Sequence, residues 1–161
     1  MRRETARATH GVPADALQRA PQDKWNSLQL LEHLMLSYTA TTKGLLRTIE
    51  SGKPEPSNRN LQHRIRSLYV LGLGRFPNGV ESPKHIVPRG NMGDEPLRRF
   101  NDALVAMDAT LCDAEKRFGP GTRLLNHPIL GPLTAQQWRR FHHVHGRHHL
   151  RQIVARVNGS V

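Results

Sequence analysis

The stretch from Thr134 to Val157, TAQQWRRFHHVHGRHHLRQIVARV, constrains this chain more than any other. It opens on Thr134-x-x-Gln137, a capping box that starts a helix. At about 100° per residue, Trp138, Phe141, His145, His149 and Gln152 share one face of that helix. Phe141, His145, His149, Ile153 and Val157 make a single i, i+4 row, so two imidazoles continue a stripe begun by an indole and a phenyl ring. A face of that composition belongs in an interior, and other helices have to cover it. Two histidines one turn apart on a buried face are what a metal ion needs if a third ligand arrives from elsewhere.

The tract from His142 to His149 holds five histidines, and a solvated, weakly metal-binding patch is the plainer reading of such a run. Spacing argues against it. Relative to His145, His149 and Gln152 lie within about 40° and His142 within about 60°, while His143 lies about 160° away. Arg140 and Arg147 share the His143 side and read as facing solvent. The third ligand can come from His10, His33, His63, His85 or His127; of these, His33 sits on a long helix beside leucines. No HExxH pattern occurs, which excludes a metzincin-like site.

The helix carrying His33 is expected over Asp23 to Glu50, with Asn26-x-x-Gln29 as its capping box and Ser51-Gly52 as its stop. Leu28, Leu31, Met35 and Tyr38 form one apolar line; Leu30, His33, Leu34, Ser37 and Thr41 form the next, which puts His33 at the edge of the buried face. Another helix is expected from Glu95 to Phe118, capped by Asp94, with Pro96 in its first turn. Its Leu97, Phe100, Leu104, Met107 and Leu111 follow the seam spacing of a bundle, with Cys112 as a small apolar residue beside the seam. Short helices are expected within residues 1–10 and from Pro13 to Ala20, and one more near Asn58 to Val70. Residues 119–133, GPGTRLLNHPILGPL, read as a turn-rich link, and no strand alternation is found. The sum is an all-α, four-helix bundle forming one domain over residues 1–161, with a long connection between its second and third helices. Within that connection, residues 77–94 are dense in Gly and Pro and are a candidate lid.

Net charge is +11 with histidines neutral, which favours an anionic partner or substrate without deciding the fold. One cysteine allows no internal disulfide and points to a reducing compartment, the cytoplasm. No apolar run approaches membrane-spanning length, and the Arg-rich start lacks the apolar core of a secretory signal.

Trp25 followed by His33, together with His145-x-x-x-His149-x-x-Gln152, resembles the DinB-like superfamily of metal-binding four-helix proteins. HPILGPLTAQQW, from His127 to Trp138, resembles a branch of it whose biochemical role is unassigned. The family's triad maps onto His33, His145 and His149. The resemblance implies a divalent ion, commonly zinc or nickel, and relatives that are thiol-dependent transferases or isomerases, or hydrolases, acting on small molecules. Where the family has a full first helix, this chain has 24 residues before Trp25, interrupted by Gly11 and Pro13, and where it often has Arg-Gly before the Gln, this chain has Leu150-Arg151.

Gln152, His127 and His142 are read as outer partners of the ligands or as substrate contacts; for His127, before Pro128, a turn role is the plainer alternative. Gly146 is a mid-helix glycine beside His145 that admits a close neighbour. No catalytic acid or base beyond the metal is assigned. The competing classes are a basic nucleic-acid-binding helical protein and a metal-stabilised structural bundle. Against the first, basic residues are spread along the chain and aromatics are few. Leu150 and Val154, on the polar side of the last helix, mark a possible homodimer contact.

Overall fold

The computed structural model describes residues 1–20, 22–54, 56–77, 79 and 81–159; residues 55, 78 and 80 of the expected connection lie outside that set. The chain is mostly helical. Two short helices, α1 (Arg2–Thr9) and α2 (Ala14–Gln18), precede α3 (Ser27–Ser51). The α3 start is set by Asn26, whose side chain accepts from the Gln29 amide at 2.8 Å while Gln29 Oε1 accepts from the Asn26 amide at 2.9 Å. That reciprocal cap places the start four residues later than Asp23. The helix ends at Gly52, whose φ of 73° is the left-handed conformation a side chain resists.

α4 (Leu61–Ser67) is capped by Asn60 and runs on as a π-helical turn, Leu68–Gly72. A single 3₁₀ turn, Lys84–Ile86, follows before α5 (Pro96–Phe118). Asp94 does not cap α5: the N-cap residue is Glu95, with no side-chain hydrogen bond to the helix end, and its carboxylate instead accepts from Arg98 Nε at 2.8 Å.

Residues 119–133 correct the all-α expectation. They hold all but the last residue of a β-hairpin, β1 (Arg123–His127) and β2 (Gly131–Thr134), paired antiparallel with Asn126 opposite Pro132 and His127 opposite Gly131. Two prolines and strands this short leave no alternation to read. The hairpin feeds directly into α6 (Ala135–Val157), whose capping box from Thr134 to Gln137 is as the sequence indicates.

α3 packs chiefly against α5, and also against α6; α1 packs on α6, and α2 on both α6 and α3. Tyr38, Phe100, Leu111, Leu133 and Ile153 are among the side chains fully removed from water. The buried face of α3 is wider than its leucine lines suggest: Glu32 and His33 are both inside it, so His33 is at the centre and not at an edge. α4 seats on the hairpin, where a Cβ on Gly131 would lie 2.6 Å from the His63 ring. Gly146 does admit a close neighbour, and that neighbour is the chain itself, Met1 and the Tyr38 hydroxyl. Among the described residues, no helix is long and apolar enough to cross a membrane.

Candidate metal centre

The side chains of His33 on α3 and of His145 and His149 on α6 meet in the interior, all three buried. The α6 pair is fixed by helix geometry, since i and i+4 stack one turn apart. The α3–α6 packing delivers the third ring. His33 Nε2 lies 3.1 Å from His145 Nε2. His149 Nε2 lies 3.0 Å from the same atom, and the three potential ligand atoms all fall within 4.8 Å of one another. Three nitrogens on a tetrahedral ion at Zn–N distances would be separated by about 3.3 Å.

The outer nitrogens decide which ring atoms face inward. His33 Nδ1–H donates to the Ile86 carbonyl at 2.9 Å. His149 Nδ1–H donates to Gln152 Oε1 at 2.8 Å. Both rings therefore present a bare Nε2 lone pair to the centre. This donor set, three imidazoles with outer acceptors on two of them, could hold a metal ion. Three protein ligands would leave a four-coordinate ion with one position open.

The walls are aromatic. Phe76 stacks on His145 with centroids 5.0 Å apart, and Phe141 lies nearly parallel to the same ring at 5.4 Å. Trp25 tilts against His33 at 5.0 Å. Burial in this shell holds His33 below the ordinary imidazole value. It takes His149 down to about 3, with the nearby His33 adding to the effect. His145 is driven well below its usual value, by burial first and by His149 and His33 after it. Three neutral rings at physiological pH are three rings in the ligand form.

The other residues singled out in the sequence separate. Gln152 is where an outer partner belongs, bridging His149 to His148, whose Nε2 accepts from Gln152 Nε2 at 3.2 Å. His142 points elsewhere: its Nε2 pairs with the Thr41 hydroxyl at 3.0 Å and its ring stacks on Trp138. Burial takes it to about 3. His127 belongs to the hairpin, where Nδ1 accepts from the Ile129 and Leu130 amides at 3.1 and 3.2 Å. Its ring packs on Phe141 at 4.3 Å, so the turn reading accounts for its hydrogen bonds. His10, His63 and His85 stand outside the cluster. Cys112 is half-buried beneath Arg139, whose Nη2 donates to its sulfur at 3.1 Å, so it is not a plain core residue.

Four contributors escaped the sequence reading. Ile86 acts through a backbone carbonyl, which no side-chain pattern reports. Glu32 accepts from the Gly90 amide at 2.7 Å and the Asn91 amide at 3.3 Å, pinning the connection onto α3. Residues 86–91 are thus a fixed wall of the site, in place of a lid. Phe76 comes from the same connection. His148 was legible, being one turn before Gln152 on α6.

A family described as proteins of unknown function, DUF1569, matches residues 86–156. That segment carries Ile86, His145, His149 and Gln152, and omits His33 and Glu32. No curated protein and no solved structure matches the chain.

Proposed function

We propose that this protein is a metal-dependent enzyme of the DinB-like kind, in which His33, His145 and His149 hold one divalent cation, zinc or nickel, and a small-molecule thiol or a water reacts at the open position. The observation that carries this reading is the convergence of three neutral Nε2 atoms, two of them committed inward by outer acceptors. In the bundle this reading requires, α3, α5 and α6 are the long members and the short α1, seated on α6, takes the fourth place.

A divalent ion held by His33, His145 and His149 would supply Lewis acidity, lowering the pKa of a water or thiol that reaches it. The chain's own residues do the rest. Ile86 and Gln152 fix the tilt of His33 and His149 and keep their protons on the outer nitrogens. Trp25, Phe76 and Phe141 exclude bulk water and strengthen every electrostatic interaction inside. Gln152 ties the buried His149 to the half-buried His148 at the rim of the site. The general surplus of positive charge draws anionic co-substrates toward it.

Elemental analysis of the purified protein tests the assignment. The wild type should hold close to one zinc or nickel per chain. His33→Ala, His145→Ala and His149→Ala should each lose most of it, and His143→Ala should not. Equal metal in all four variants would refute the assignment. Turnover of a generic electrophile with added small thiols, present in the wild type and lost with the metal, would separate the enzyme from a structural metal bundle.

A further inference from the structure

The outward face of α4 is apolar where water should favour polar side chains. Leu61, Ile65 and Leu68 are 69%, 60% and 69% exposed, and their spacing of four and three sets them in one stripe. Leu73, 64% exposed, follows just beyond the π-helical turn. The segment is firmly placed all the same. Val70 is buried, and the Ser67 hydroxyl donates to the Leu130 carbonyl at 3.2 Å. The stripe is therefore held out to solvent by a seated element.

Beside it runs an open groove of about 870 Å³ between α4 with its π-helical turn and the first half of α6. Ile65, Leu68 and Leu71 line one side, and Gln136, Arg140 and His143 the other. Arg59 and Arg64 also line it, and among the described residues no carboxylate does. Arg140 is anchored, its Nε donating to the Leu71 carbonyl at 3.0 Å. Arg59 has a buried Nε with no hydrogen-bond partner among the described residues. Burial first, and then the like charges of Arg123 and Arg64, make its cationic form less favourable than usual. An anion would relieve that crowding.

We propose that this groove docks an acidic amphipathic helix of a partner protein, its apolar residues against Ile65, Leu68 and Leu71 and its carboxylates against Arg59, Arg64 and Arg140. The two halves of the groove demand both properties in one occupant. A second copy is disfavoured, because at +11 per chain the contact would set Arg59 and Arg64 against more positive charge. A membrane surface would meet the projecting leucines but leave the Arg140 and His143 wall unfilled. A nucleic acid would meet the arginines and leave the leucines wet. The inference is independent of the metal centre, which faces the interior between α3 and α6.

The test uses the full chain and a fluorescein-labelled helical peptide of Leu, Glu and Ala, with leucines at i, i+4 and i+7, read by anisotropy. The same peptide with Lys for Glu is the control. The acidic peptide should bind saturably and the basic one should not. Ile65→Gln and Leu68→Gln should each weaken binding about tenfold, and Arg64→Glu by a similar factor. Their thermal midpoints should stay at the wild-type value, because these side chains are exposed. The proposal fails if the acidic peptide does not bind, or if its binding is indifferent to all three substitutions. It also fails if phosphatidylglycerol vesicles or duplex DNA bind through these residues while the peptide does not. Sedimentation showing a dimer that Leu68→Gln dissociates would assign the face to a second copy and overturn it too.

Discussion

Replacing Glu32 with glutamine should weaken metal binding without touching a ligand. Glu32 is adjacent to His33 on α3 and is 3% exposed. Its carboxylate accepts from Gly90 N–H at 2.7 Å and from Asn91 N–H at 3.3 Å. The φ of 79° at Gly90 is in the left-handed region, a conformation that lets neighbouring amides turn toward one anion. That clamp holds the segment beginning at Ile86, and Ile86 in turn accepts the His33 Nδ1 proton. A carboxamide in place of the carboxylate would keep one acceptor oxygen and set an NH₂ group against backbone donors. Losing one charge-assisted hydrogen bond and leaving a mismatched buried donor should cost about 3 kcal/mol. Part of that appears as lower stability of the chelated protein in urea. The other part appears at the metal: a His33 ring without its fixed outer acceptor should bind about 10- to 100-fold more weakly. Competition titration of zinc against a chromophoric chelator measures it. If E32Q loses stability but binds zinc as the wild type does, the pinned connection does not orient His33 and the reasoning is wrong.

Three further expectations use other parts of the molecule. Gln152→Ala should weaken zinc binding about tenfold in the same titration by freeing His149 to rotate, with little change in the stability of the chelated protein. Burial depresses His142 to about 3 from 6.5, so the unfolded chain binds the extra proton between those values; its contribution is complete above 6.5 and is lost as pH falls, by about 2 kcal/mol at pH 5. Urea melts of the chelated protein at pH 8 and pH 5, repeated on His142→Gln, should show that part of the acid loss removed. Gly146→Ala should be nearly neutral in a thermal melt: helix propensity gains about 1 kcal/mol, and the new methyl meets the terminal methyl of the flexible Met1 at 2.6 Å, which can swing aside. A loss of many degrees would mean that the Met1 packing is rigid.

What the sequence displayed and what it hid follow a physical division. Elements fixed by local rules were readable: the caps at Asn26 and Thr134, the Gly52 stop, and the α6 stripe through Phe141, His145 and His149. So was His33, because one long amphipathic helix offered a third imidazole among leucines. Elements fixed by distant contacts were not. The hairpin at Arg123–Thr134 depends on α4 and α3 packing against it, and its prolines erase the strand pattern. Asp94 lost the α5 cap because Pro96 takes the first helical position and shifts the boundary by one residue. Glu32 resembled a surface residue at the margin of a leucine face. Its burial makes sense only once the amides of Gly90 and Asn91 arrive from 58 and 59 residues away.

The third ring makes the metal-free state itself a test. His33 and His149 have their inward lone pairs fixed by Ile86 and Gln152. Among the described residues His145 has no such partner, and its Nδ1 is buried without a hydrogen bond. With its proton on Nε2 it can satisfy one neighbour, leaving the other lone pair facing it. With its proton on Nδ1, three lone pairs oppose one another and the proton is unpaired. Either arrangement should cost about 1–3 kcal/mol when no cation is present, and burial of all three rings opposes relief by protonation. Bound zinc takes up the three opposed lone pairs, leaving the unpaired His145 Nδ1 proton as the part of the cost that persists, and adds linkage, about 4 kcal/mol at a thousandfold excess over Kd. The thermal midpoint should therefore rise steeply on changing from chelator to zinc. His145→Phe, stacked between Phe76 and Phe141, should raise the metal-free midpoint and abolish the zinc response. A wild-type midpoint identical in chelator and in zinc would mean that the three nitrogens converge for packing alone.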